Sequence, residues 1–124
     1  MNKRPVNINP LSIKLPVMAL VSIGHRVSGI LVLLLIPFLL WTLQRALASP
    51  ETLNQVRDAV STPACLFTVW VLLSALIFHV IAGFRHLLMD MHLGDSLCAG
   101  RWGARLVIVL SAIFSIALAF WMGT

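Results

Sequence analysis

Three long apolar runs, roughly Pro16 to Thr42, Ala64 to Arg85 and Ala104 to Met122, leave this chain few folds to choose from. Each is close to the ~20 residues that a helix needs to cross about 30 Å of hydrocarbon. Lipid offers no partner to a backbone N–H or C=O, so a spanning run satisfies these groups within itself and is helical. Charged residues make up 10% of the 124 and hydrophobic ones 60%, too few charges to coat a soluble surface of this size. The sequence predicts an all-α membrane protein with the lipid bilayer as its surroundings. It reads as a single domain, residues 1–124, with three transmembrane helices over about 16–43, 64–86 and 104–122 and a short polar N-terminal arm.

The formal charge of +5 invites a nucleic-acid reading, but its distribution argues against one. Lys3, Arg4, Lys14 and Arg26 precede or enter the first helix, and Arg85, Arg101 and Arg105 flank the second loop. The first loop has only Arg45 and Arg57, offset by Glu51 and Asp58. Basic residues concentrated on one side set orientation by the positive-inside rule. The N-terminus and second loop are expected in the cytoplasm, and the first loop and C-terminus in the periplasm, across a cell inner membrane. In a mitochondrion the equivalents are matrix and intermembrane space. No nucleic acid is expected as a partner.

Cys65 and Cys98 fall at opposite ends of that topology, so no disulfide framework is expected, and no Cys-x-x-Cys-His occurs for covalent haem attachment. The first fifteen residues hold three basic residues and two prolines, and the apolar run after them is too long for a signal-peptide core.

Residues 1–15 read as an extended arm, and Pro16 suits a first helical turn. Pro37 is expected to kink the first helix. Ser49-Pro50-Glu51 can cap a brief amphipathic helix through Ala59, and Thr62-Pro63 starts the second long helix. The second loop is expected over 91–103, with Gly94, Gly100 and Gly103 marking turns and Trp102 at the membrane interface. In the third helix, Ser111 and Ser115 with Ala112 and Ala119 read as a small-residue packing stripe without chemistry.

The chemistry lies on the first two helices. Arg26 is two to three turns into the first, where an arginine costs up to about 2.5–3.5 kcal/mol at the bilayer centre. One reading is a side chain that snorkels to the cytoplasm. The other is a cation facing a protein interior and pairing with an acid or a polar ligand. The neighbours favour the second: Ser22 is one turn away, Gly29 extends the face and His25 borders it. Such a donor-rich patch suits a carbonyl or carboxylate ligand.

On the second helix, His79, Gly83 and His86 share a face at i, i+4, i+7. A membrane histidine more often bridges helices than binds metal. Gly83 shifts that balance, because bare backbone one turn away lets a flat ligand lie against the helix. Neutral imidazole is a common haem-iron ligand, and Arg85 and His86 at the interface can receive haem propionates. Spacing alone leaves open whether His25 and His79 ligate together or one ligand is external. Asp90 either neutralises basic charge or anchors the next turn, and His92 reads as a solvated loop residue.

Arg4-Pro5-Val6 followed by Ser22-Ile23-Gly24-His25-Arg26-Val27-Ser28-Gly29 resembles the N-terminal signature of the cytochrome b subunit of succinate dehydrogenase. His79-x-x-x-Gly83-Phe84-Arg85-His86-Leu87-x-Met89-Asp90 resembles that family's second signature, and both motifs stand in register with the three-helix plan. The chain departs from the family pattern at His92, where a small residue is usual, with Gly94 further on.

The resemblance implies a membrane anchor of respiratory complex II, with haem b held between two anchor chains that give one histidine each. His79 matches the axial iron ligand, and the other histidine would come from the partner anchor. Ser22 and Arg26 match positions that contact ubiquinone at the cytoplasmic edge, beside the iron–sulfur subunit. His25, Arg26 and His86 match positions near the haem propionates. Succinate oxidation would belong to the flavoprotein subunit, since this chain has no flavin signature and only two cysteines. A fumarate reductase anchor is the near alternative, and a small non-redox transporter or assembly protein the distant one.

Overall fold

The computed structural model describes residues 15–94 and 96–123. They form four helices, α1 (Val17–Ala48), α2 (Pro50–Val60), α3 (Pro63–Asp90) and α4 (Leu97–Gly123). The expected polar arm lies, apart from Leu15, outside the described residues. α1, α3 and α4 contain windows of mean hydropathy 2.2 to 2.4 and are long enough to cross a membrane. α2 is the expected short amphipathic helix. Thr52 N–H donates to Ser49 Oγ at 3.1 Å and Ser49 N–H donates to Thr52 Oγ1 at 3.0 Å, a reciprocal cap just ahead of Pro50 and Glu51.

The long helices overrun the expected limits. α1 reaches Ala48 and α3 reaches Asp90, because hydropathy marks where lipid ends and a helix need not stop there. The 32 residues of α1 are about 48 Å long, against ~30 Å of hydrocarbon. Pro37 lies within α1, which continues through it.

The largest correction is at α4. It begins at Leu97, ahead of the expected Ala104, so Gly100, Gly103 and Cys98 are helical. Gly100 and Gly103 serve close packing there, not turns. A Cβ on Gly100 would lie 2.8 Å from Met18 Sδ, and one on Gly103 would lie 3.2 Å from Arg85 Nε. The turn itself uses His92 at φ 60° and Gly94 at φ 85°. His92 thus occupies the left-handed backbone region, where glycine is easiest and histidine is among the residues found more often than most.

α3 packs along both α1 and α4, while α1 and α4 share less contact. The buried strip of α1 is Val21, Ser28 and Leu35, and that of α4 is Gly100, Ala104, Val107 and Ser111. The expected α4 stripe is therefore corrected: Ser111 is buried and Ser115 half-buried, but Ala112 and Ala119 are exposed. Ser111 stays on the buried face, which continues towards the basic end through Val107, Ala104 and Gly100. Ala82 and Ala104, both 0% exposed, allow α3 and α4 to approach closely. They join Val21 and Val107 in a core at the basic end, flanked by Val17, Met18, Phe78 and Ile81. Arg85 Nη2 donates to Gly100 O at 3.1 Å, and Trp70 Nε1 donates to Ser115 O at 2.9 Å, so two side chains of α3 fix the register of α4. Cys65 and Cys98 are free thiols.

Candidate functional site

The polar residues of α1 and α3 meet just beside the basic-end core. His25 of α1 stacks on His79 of α3 with ring centroids 4.3 Å apart and planes 15° apart. His86, two turns along α3, tilts against the same His25 ring at 5.3 Å and 41°. Two glycines make this approach possible. A Cβ on Gly29 would sit 3.1 Å from His79 Cε1, and one on Gly83 would sit 3.3 Å from His25 Nε2. Each helix thus offers bare backbone to the other's imidazole. In this chain by itself the space over Gly83, expected to admit a flat ligand, is bordered by the His25 ring.

His79 is held through one nitrogen. Its Nδ1 lies 3.1 Å from Ser28 Oγ and 3.1 Å from the His25 carbonyl oxygen, and Ser28 Oγ donates to that carbonyl at 2.9 Å. A carbonyl oxygen only accepts, so an Nδ1 carrying a lone pair would be repelled by it. All three contacts are favourable only when Nδ1 bears the proton and shares it between the two oxygens. Nε2 then keeps its lone pair as the ring's one ligating atom. This is the usual arrangement of a metal-binding histidine, whose other N–H is held by a backbone or carboxylate oxygen. The donor set therefore fits one axial bond to haem iron.

The stack also bears on the choice left open by spacing. Two imidazoles that ligate one iron point a nitrogen at it from opposite faces of the porphyrin. His25 and His79 present their faces to each other, and His25 Nε2 lies beside the Gly83 backbone, an arrangement unlike that of two ligands facing one iron from opposite sides. Among the described residues, no group of three or more His, Cys, Asp or Glu side chains could hold a metal ion.

The other expected residues separate by position. Ser22 is half-buried and Arg26 exposed, one turn apart on α1 along the edge of the histidine cluster. His86 joins the cluster through His25. Arg85 does not, because its guanidinium turns to α4 and donates to the Gly100 carbonyl. In this chain its guanidinium thus serves helix packing through at least one of its N–H groups. Gly29 was expected on the polar face of α1, but Ser28 was given no role in the site. The signal for Ser28 was positional: it lies three residues after His25, so both share the face turned toward α3.

A family model described as succinate dehydrogenase/fumarate reductase transmembrane subunit matches residues 1–118. The chain is 38% identical over 121 residues to the succinate dehydrogenase cytochrome b556 subunit of Coxiella burnetii (strain RSA 493 / Nine Mile phase I), covering 97% of each. It is 27% identical over 119 residues to the subunit of the same name from Rickettsia bellii (strain RML369-C), covering 94% of this chain and 91% of the relative. With three apolar spanning helices and matches over nearly its whole length, this chain belongs to the succinate dehydrogenase/fumarate reductase transmembrane subunit family.

Proposed function

We propose that this chain is an anchor subunit of succinate:ubiquinone oxidoreductase that holds haem b together with a second anchor chain and forms part of the ubiquinone-reducing site. The observation that carries the reading is His79, whose Nδ1 is engaged by Ser28 and the His25 carbonyl while Nε2 stays available. The name cytochrome b556 borne by both relatives supports the haem assignment, and their naming as succinate dehydrogenase subunits favours that direction over fumarate reduction. Haem b supplies a one-electron store close to the quinone.

The chain's own residues bind and orient. His79 gives one axial nitrogen, and the partner anchor gives the other. His25, Arg26 and His86 form the polar edge that receives the propionates. Ser22 donates a hydrogen bond to a quinone carbonyl oxygen, and Arg26 stabilises the negative charge that builds as quinone becomes quinol. An exposed arginine on a membrane helix suits that role, because its charge is free for a ligand at the seam with neighbouring subunits. Electrons reach the site from succinate through the flavoprotein and iron–sulfur subunits. By the positive-inside rule the basic end faces the cytoplasm, where those soluble subunits dock on the inner membrane.

The test uses the purified complex. Its reduced-minus-oxidised spectrum is expected to show a bis-histidine b-type haem that His79→Ala abolishes, and an unchanged spectrum in the variant overturns the ligand assignment. Arg26→Leu is expected to impair quinone reduction far more than succinate oxidation with an artificial dye. Equal loss in both assays overturns the quinone role.

A further inference from the structure

We infer that Ser28 is the positioning residue of the haem site, acting through its hydroxyl on His79. The inference rests on the reading of His79 as the axial ligand and adds a residue that the reading does not need in order to stand. Ser28 is 5% exposed, on the buried strip of α1, so its hydroxyl depends on partners within the bundle. A serine in that setting normally satisfies itself by donating to a carbonyl one turn back, as Ser28 does to His25 at 2.9 Å. That bond uses its only proton and leaves its oxygen able to accept. The accepted proton is the one on His79 Nδ1, 3.1 Å away.

The hydroxyl therefore has two effects on α3 from a position on α1. It completes a three-centre hold on Nδ1–H with the His25 carbonyl, which fixes the tautomer and the ring rotation. It also adds electron density to the imidazole by accepting from it, and a more basic axial ligand favours ferric over ferrous iron. The His25 carbonyl accepts the same proton, so Ser28 strengthens both effects by adding a second acceptor on the same nitrogen. Gly29 bounds the same ring from the next position, with His79 Cε1 3.1 Å from where its Cβ would be. Ser28 and Gly29 together seat the ring by attraction and by limit.

The experiment compares Ser28→Ala, Ser28→Cys and Ser28→Thr in the purified four-subunit complex, with redox titration of the haem and its low-spin ferric EPR signal as readouts. Ser28→Ala is expected to raise the midpoint potential by up to a tenfold change in the ferric-to-ferrous preference, about 59 mV for a one-electron couple. It is also expected to shift the largest g value. Ser28→Cys, close in size but a weak acceptor, should follow Ala, whereas Ser28→Thr, which keeps the hydroxyl, should return both readouts towards the wild type. Haem lost from the Ala complex but kept in the Thr complex supports the inference equally. Unchanged potential and g values in Ser28→Ala overturn it, as does a Thr variant that behaves like Ala. Those results leave the His79 assignment intact, which fails separately if His79→Ala retains the wild-type haem spectrum.

Discussion

Adding one methyl group at Gly29 tests the packing on which the site depends. A Cβ there would lie 3.1 Å from His79 Cε1 and 3.6 Å from Nδ1. Carbon pairs sit best at about 3.5–4.0 Å, so the ring must withdraw by roughly 0.4–0.9 Å. Gly29, Ser28 and the His25 carbonyl all belong to α1, so withdrawal from one is withdrawal from all three. The two 3.1 Å contacts of Nδ1 then stretch to about 3.5–4.0 Å, beyond useful hydrogen-bond range. Overpacking costs about 1–3 kcal/mol, and hydrogen bonds within membrane bundles average about 0.6 kcal/mol each. Replacing a helical glycine by alanine returns about 1 kcal/mol. Gly29→Ala should therefore destabilise by about 1–3 kcal/mol and disturb the haem spectrum as well. The control is Gly123→Ala, because nothing lies within 4 Å of a Cβ there. Both variants are read by the melting temperature of the purified complex in detergent and by its reduced-minus-oxidised spectrum. A Gly29→Ala complex matching the control in both would refute the idea that bare backbone at this position seats His79.

Two further substitutions probe the α3–α4 seam. Trp70→Phe removes the bond from Nε1 to the Ser115 carbonyl at 2.9 Å but keeps an aromatic ring, and should cost about 0.6–1.7 kcal/mol, seen as a lower melting temperature with the haem spectrum unchanged. Ser111→Ala removes a buried hydroxyl that has no hydrogen-bond partner, so stability should stay level or rise, and a fall in melting temperature would show that the hydroxyl is bonded in the assembled complex.

How far the sequence could be read depended on the range of each interaction. The three spanning helices were legible because exclusion from water acts on every residue of an apolar run. The short helix α2 was legible because Ser49, Pro50 and Glu51 form a local cap signal. The start of α4 was not. Its first turns hold Gly100, Arg101 and Gly103, which lower the hydropathy and look like loop, yet Met18 and Arg85 press against those glycines from other helices. Gly83 is open to two readings for the same reason. A glycine between two histidines marks space, but only the rotation of α1 decides whether a ligand or His25 takes it. The levels of His25 and His79 in the membrane were readable from topology. Ser28 was not singled out, because its contact with His79 depends on how two helices are turned about their axes.

That rotation also constrains how the site can be completed. An imidazole has two nitrogens, and on α3 the Nδ1 of His79 is occupied by oxygens of α1. On α1 the ring of His25 is laid across His79, with Nε2 over the backbone of Gly83. Freeing His25 for iron would mean breaking the stack and lifting a ring out of a glycine notch, which would also remove the surface that His79 rests on. The two histidines therefore differ in role on the proposed reading, with His25 supporting the ring that His79 would offer to iron. On the proposed reading, a six-coordinate haem then needs its second imidazole from another chain. That would place the haem at the seam between anchors, with Ser22 and Arg26 on the same stretch of α1 as the proposed quinone contacts.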